Sequence, residues 1–139
     1  MKFLRLCTSL LFSAALLIGP YASKPAHAAP VITSCSGGSF TLGNYQVAFY
    51  EHANYGGQCW LVTIDAPYLE PWVGNAGITN DVVSSVRIGG KVALALYQDQ
   101  NYGAVLGVWG SEDDSVTLVP YVGDTANDQM SAFVLGYQQ

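Results

Sequence analysis

Two short stretches of this sequence place oxygen donors at one spacing. Asn80-Asp81-Val82-Val83-Ser84-Ser85 is matched 47 residues later by Asn127-Asp128-Gln129-Met130-Ser131-Ala132. Each stretch offers a carboxylate, a hydroxyl three positions further on, and the backbone carbonyls between them. These are hard ligands, and a hard cation such as calcium takes about six to eight of them in flexible geometry. The same residues also make an ordinary Asx or Ser turn ahead of a strand. Duplication separates the two readings. Tyr50 and Tyr55 return as Tyr97 and Tyr102 at the same offset, and both copies keep Asp and Ser at the donor positions.

Other chemistries are poorly supplied. A Ser/His/Asp hydrolase would need His52, the one histidine outside the N-terminal segment, and no nucleophile elbow accompanies it. The chain is therefore not read as an enzyme. Cys35, Cys59 and His52 match no zinc-ligand spacing. Trp60, Trp72 and Trp109 with Tyr68 and Tyr121 would serve as a sugar-stacking platform or as packing aromatics, and packing is the commoner use of such residues. Asp113 and Asp114 read as a solvated acidic loop.

The elements that must position these donors are strands. Tyr45, Val47 and Phe49 alternate with Gln46, Ala48 and Tyr50, and Val92, Leu94 and Leu96 alternate with alanines. Val86 and Ile88 flank Arg87, and Phe133 and Leu135 stand at the matching positions of the second copy. This is period-two patterning in β-branched and aromatic residues, punctuated by Gly56-Gly57, Gly89-Gly90 and Gly103. Pro67, Pro71 and Pro120 limit helix. The reading is all-β, with one unit over 45–90 and a second over 91–136. A four-stranded unit cannot cover its own apolar face. Two Greek-key units packed as a β-sandwich can.

The N-terminus reads as a secretory signal over 1–28: a basic start, an apolar run from Leu10 to Ile18, and Ala26-His27-Ala28 as a small-x-small cleavage pattern. The run is too short to span a bilayer. Its removal would leave an arm over 29–44 and a domain over 45–139. Lys2, Arg5 and Lys24 would leave with it, so Arg87 and Lys91 would face ten carboxylates, a formal charge of −8. Such a balance disfavours nucleic acid and anionic membranes and suits a cation. Secretion, to the outside or to a periplasm, would also place Cys35 and Cys59 in an oxidising compartment, where a disulfide is expected. That bond would pin the arm to the first hairpin and contribute roughly 3 kcal/mol in the chain-entropy model.

At this point the residues resemble a family. Tyr50-Glu51-His52-Ala53-Asn54-Tyr55-Gly56-Gly57 and the Asn-Asp-x-x-Ser-Ser run of 80–85 are similar to the two markers of the βγ-crystallins, in particular the microbial calcium-binding branch. The resemblance covers nearly all of the chain after about residue 44. It implies a folded hairpin with the tyrosines packed across it and a glycine at the sharp turn. It also implies two calcium sites with crossed ligands. One would use Ser84, the Val82 carbonyl, Asp128 and the Gln98 carbonyl. The other would use Ser131, the Gln129 carbonyl, Asp81 and the Glu51 carbonyl. In the second copy Ala104 replaces the hairpin glycine, with Gly103 beside it to take the turn, and Ala132 replaces a final serine that is mostly structural. The second motif is expected to be the weaker. With few carboxylates per site, affinity is expected between roughly micromolar and millimolar. The expected protein is a secreted, monomeric calcium-binding module. The rival readings are a proteinase inhibitor or toxin-like interaction protein on the same fold, and a carbohydrate-binding module.

Overall fold

Val47, Phe49, Val86, Ile88, Leu94, Leu96, Phe133 and Leu135 all point into one core and are fully buried. In a computed structural model, the described residues are 31–36, 40–64, 72–74, 77–110 and 112–137. The expected signal segment 1–28 lies outside them, as do Pro67, Tyr68, Pro71 and the side chain of Trp72.

The strands are β1 (Val31–Cys35), β2 (Gln46–His52), β3 (Gly56–Thr63), β4 (Trp72–Gly74), β5 (Ser85–Ile88), β6 (Val92–Tyr97), β7 (Val105–Gly110), β8 (Thr117–Val119) and β9 (Ala132–Tyr137). A single 3₁₀ turn, Ala53–Tyr55, joins β2 to β3. The strands form two antiparallel sheets, ordered β1-β3-β2-β5-β8 and β4-β9-β6-β7. The chain is thus an all-β sandwich with Greek-key connections, in which β4 and β8 each leave their sequence neighbours to join the opposite sheet. Period-two side chains explain the layering: one face of each sheet meets the other across the core, where the Phe49 and Phe133 rings lie 4.7 Å apart.

One alternation departs from the simple inside-outside expectation. Ala48 and Tyr50 face away from the main core yet are fully buried. They lie in a second apolar cluster with Leu42 and Cys59, flanked by Cys35, Phe40, Tyr55, Leu61 and Val116. The arm creates this cluster. β1 adds to β3 in register from Val31↔Thr63 to Cys35↔Cys59, and a Cys35–Cys59 disulfide fastens that end.

Candidate metal centre

The topology brings the duplicated motifs together. The chain crosses from β4 in one sheet to β5 in the other, and again from β8 to β9. The two crossing segments bond to each other through the backbone. The Asp81 amide donates to the Met130 carbonyl at 3.1 Å, and the Asp128 amide donates to the Val83 carbonyl at 3.3 Å. Asp128 is thereby set beside Ser84 of the other motif, and Asp81 is bonded through its backbone to Met130, the residue before Ser131. Both sit at positive φ, 55° for Asp81 and 53° for Asp128, a region that Asp and Asn tolerate better than most residues.

The preceding asparagines orient the carboxylates. Asn80 Nδ2 donates to Asp81 Oδ2 at 2.7 Å, and Asn127 Nδ2 donates to Asp128 Oδ2 at 2.9 Å. That leaves the Asp128 Oδ1 directed elsewhere, 3.4 Å from Ser84 Oγ. The Ser84 hydroxyl donates to the Glu51 carbonyl at 2.7 Å and is 7 % exposed. Three hard oxygens from three segments therefore converge: the Glu51 carbonyl, the Ser84 hydroxyl and the Asp128 carboxylate. Only one proton lies among them, so at 3.4 Å the second hydroxyl contact is weak.

The structure brings Ser84 and Asp128 together across the two motifs. The resemblance implies the Gln98 carbonyl for Ser84, whereas Ser84 meets that of Glu51. Sheet pairing is the reason. β2 pairs with β5 through Tyr50↔Ser85, so the residue after Tyr50 flanks Ser84. β6 pairs with β9 through Tyr97↔Ala132, so Gln98, the residue after Tyr97, lies on the Ser131 side. The Ser84 amide donates to the Tyr50 carbonyl and the Ser131 amide to the Tyr97 carbonyl, both at 3.0 Å. Only the carboxylate crosses between halves. Val82 packs its side chain on the core, so its carbonyl is the group it has to offer, and Gln129 is exposed in the matching place.

The two hairpins differ in their fastenings. Ser85 is fully buried, donates to the His52 carbonyl at 2.6 Å and accepts the Tyr55 amide at 3.0 Å. Ala132 has no hydroxyl to do this, and the Tyr102 amide instead donates directly to the Asp99 carbonyl at 3.1 Å. The tyrosines pack edge to face in both, with centroids 5.5 Å apart for Tyr50 and Tyr55 and 5.6 Å for Tyr97 and Tyr102. Gly57 takes the turn at φ 73°, as expected. Gly103 does not replace it: its φ lies outside the left-handed region, and Tyr102 at 62° carries the reversal, as Tyr55 does at 64°.

One neighbour was not evident in the sequence. Tyr121 donates to Asp124 Oδ1 at 2.7 Å, just before the loop that carries Asp128. That bond raises the Tyr121 phenol above its usual value, with smaller contributions from burial and from the charges of Asp124 and Asp128. The Tyr-x-x-Asp spacing across Gly123 was the available signal. Trp60 is 7 % exposed in the core and Trp109 packs against it, so both serve as packing aromatics.

Among the described residues no cluster of three or more His, Cys, Asp or Glu side chains forms a metal site. The donor set here is of another kind: one carboxylate with hydroxyl and carbonyl oxygens. It fits a hard cation, which accepts neutral oxygens and water to complete its shell.

Comparison with known proteins bears on the family. No family model matches the sequence. A double mutant of a βγ-crystallin domain from Clostridium beijerinckii is 30% identical, with 68% of this chain and 98% of that chain covered and a TM-score of 0.50. The chain belongs to the βγ-crystallin superfamily. Gamma-crystallin N-B of Danio rerio is 33% identical over 58 residues, 42% of this chain. This βγ-crystallin chain spans 30% of that relative's length. Spherulin 3A of Physarum polycephalum shares the fold at a TM-score of 0.53 and 22% identity, with 77% of this chain and 97% of that chain covered.

Proposed function

We propose that this protein is a secreted, monomeric, non-catalytic βγ-crystallin-type module that binds calcium between its two Asp-x-x-Ser loops and is stabilised by it. The observation that carries the reading is the convergence of the Glu51 carbonyl, Ser84 Oγ and Asp128 Oδ1 from both halves of the sandwich. Ser84, Asp128 and the Glu51 and Val82 carbonyls would hold one ion. Ser131, Asp81 and the Gln98 and Gln129 carbonyls would hold the other. A bound cation would supply positive charge where the Asp128 carboxylate faces the Glu51 carbonyl and the Ser84 hydroxyl, and Ser84 would be free to direct its proton away from Glu51. Because these donors meet only in the folded chain, binding stabilises the fold by RT ln(1 + [L]/Kd), about 2.7 kcal/mol at one hundred times Kd.

Thermal melts with calcium and with chelator test this reading. A higher melting temperature with calcium than with chelator, unmatched by magnesium, is expected. Identical melts would refute it.

A further inference from the structure

The two hairpins that present carbonyls to the loops are not equally supported. Tyr50 is fully buried, and Cys59 stands opposite it across the β2–β3 pair. Cys59 is bonded to Cys35 at the end of β1, and Leu42 and Phe40 pack into the same cluster. The Arg87 guanidinium lies 5.4 Å from the Phe40 ring centroid and 6.0 Å from that of Tyr55, linking the arm to the hairpin tip. A continuous path thus runs from the disulfide through Cys59 to Tyr50. The Tyr50 carbonyl accepts the Ser84 amide, and the next carbonyl, Glu51, accepts the Ser84 hydroxyl.

The second hairpin has no such backing among the described residues. Tyr97 is half-buried and Tyr102 is 41% exposed. β7 is the edge of its sheet, where β3 in the other sheet carries β1.

The structure assigns the disulfide-pinned arm, β1 with Phe40 and Leu42, as a positioning element for the Ser84 site alone. It holds Tyr50, and with it the Glu51 carbonyl, against Ser84. The Ser84 site is thereby the stronger of the two. Preorganised donors lose less freedom on binding, so their support appears as affinity. This inference rests on the calcium reading above. An arm that only stabilised the domain would affect both sites alike.

The test uses the full secreted chain, with Cys35→Ser/Cys59→Ser as one variant and Phe40→Ala, disulfide intact, as another. Calcium titrations followed by amide shifts report Ser84 and Asp128 separately from Ser131 and Asp81. The expected result is about a tenfold loss of affinity at the Ser84 site, a size typical for lost support of metal ligands, and less than about a twofold change at the Ser131 site. Amide exchange without calcium should quicken at Ser84 and not at Ser131. Equal losses at both sites, or no loss at either, would overturn the inference. If the cysteine variant does not fold, Phe40→Ala carries the same expectation. If the unmodified protein shows no calcium shift at either site, the calcium reading fails on its own, and the exchange comparison still decides whether the arm supports Ser84.

Discussion

Ser84 and Asp128 are 44 residues apart in the chain, and their side-chain oxygens lie 3.4 Å apart in the fold. Neither could reach the other within one Greek key. They meet because β4 and β8 exchange sheets, which drives both connecting loops across the same end of the sandwich. The backbone bonds from Asp81 to Met130 and from Asp128 to Val83 hold that crossing. The proposed Ser84 site would therefore need both copies of the motif, one for the hydroxyl and the other for the carboxylate.

Site-selective loss is the first expected consequence. Asp128→Asn should remove the only carboxylate from the Ser84 set, and Asp81→Asn the one from the Ser131 set. Asparagine keeps the size of the side chain and tolerates the positive φ, so the fold should persist. Ligand charge tunes calcium affinity over orders of magnitude, so each affected site should weaken by about tenfold or more. Amide-resolved calcium titrations of the two variants check this. Loss at Ser131 from the Asp128 variant would contradict the crossed arrangement.

Ser85 and Ala132 set up a second expectation. Ser85→Ala removes the buried hydroxyl that bridges the His52 carbonyl and the Tyr55 amide, and the loss of those two bonds costs about 1–3 kcal/mol. For a domain of this size the melting temperature should drop by about 4–8 °C per kcal/mol. Ala132→Ser should restore little, because the Tyr102 amide is already satisfied by Asp99. Urea unfolding of both variants measures the difference.

How far the sequence reached can be judged from particular residues. The alternation around Val47, Phe49, Leu94 and Phe133 located strands and core, because period two is a local property of the chain. Asp81, Ser84, Asp128 and Ser131 were legible from spacing, and the crossing from resemblance. The partner of each hairpin carbonyl was not, because it depends on which strand lies beside which, and Tyr50↔Ser85 is a pairing between distant segments. The burial of Ala48 and Tyr50 escaped for a similar reason. Phe40 and Leu42 carry no periodicity that would announce a covering arm. Gly103 misled because a glycine permits a positive φ without requiring one.

Tyr121 offers a pH-dependent expectation. Its phenol donates to Asp124, and the neighbouring charges of Asp124 and Asp128 oppose a phenolate, so it should titrate above 10.0 in the folded protein. The folded state then holds that proton more tightly than the unfolded chain. Its stabilising contribution is present below the unfolded value and falls as pH rises through the folded one. Calcium at Asp128 should lower the Tyr121 value, and so should Asp124→Asn. Phenolate absorbance titrations of the protein and of Tyr121→Phe, compared with and without calcium, isolate this group. A Tyr121 signal indifferent to Asp124→Asn would contradict the assigned cause.

The most direct test of the central claim is a calorimetric calcium titration of the intact protein beside Asp128→Asn. Two binding events of unequal affinity are expected for the intact chain, with the tighter one lost in the variant. No binding heat above dilution in the intact protein would contradict the account.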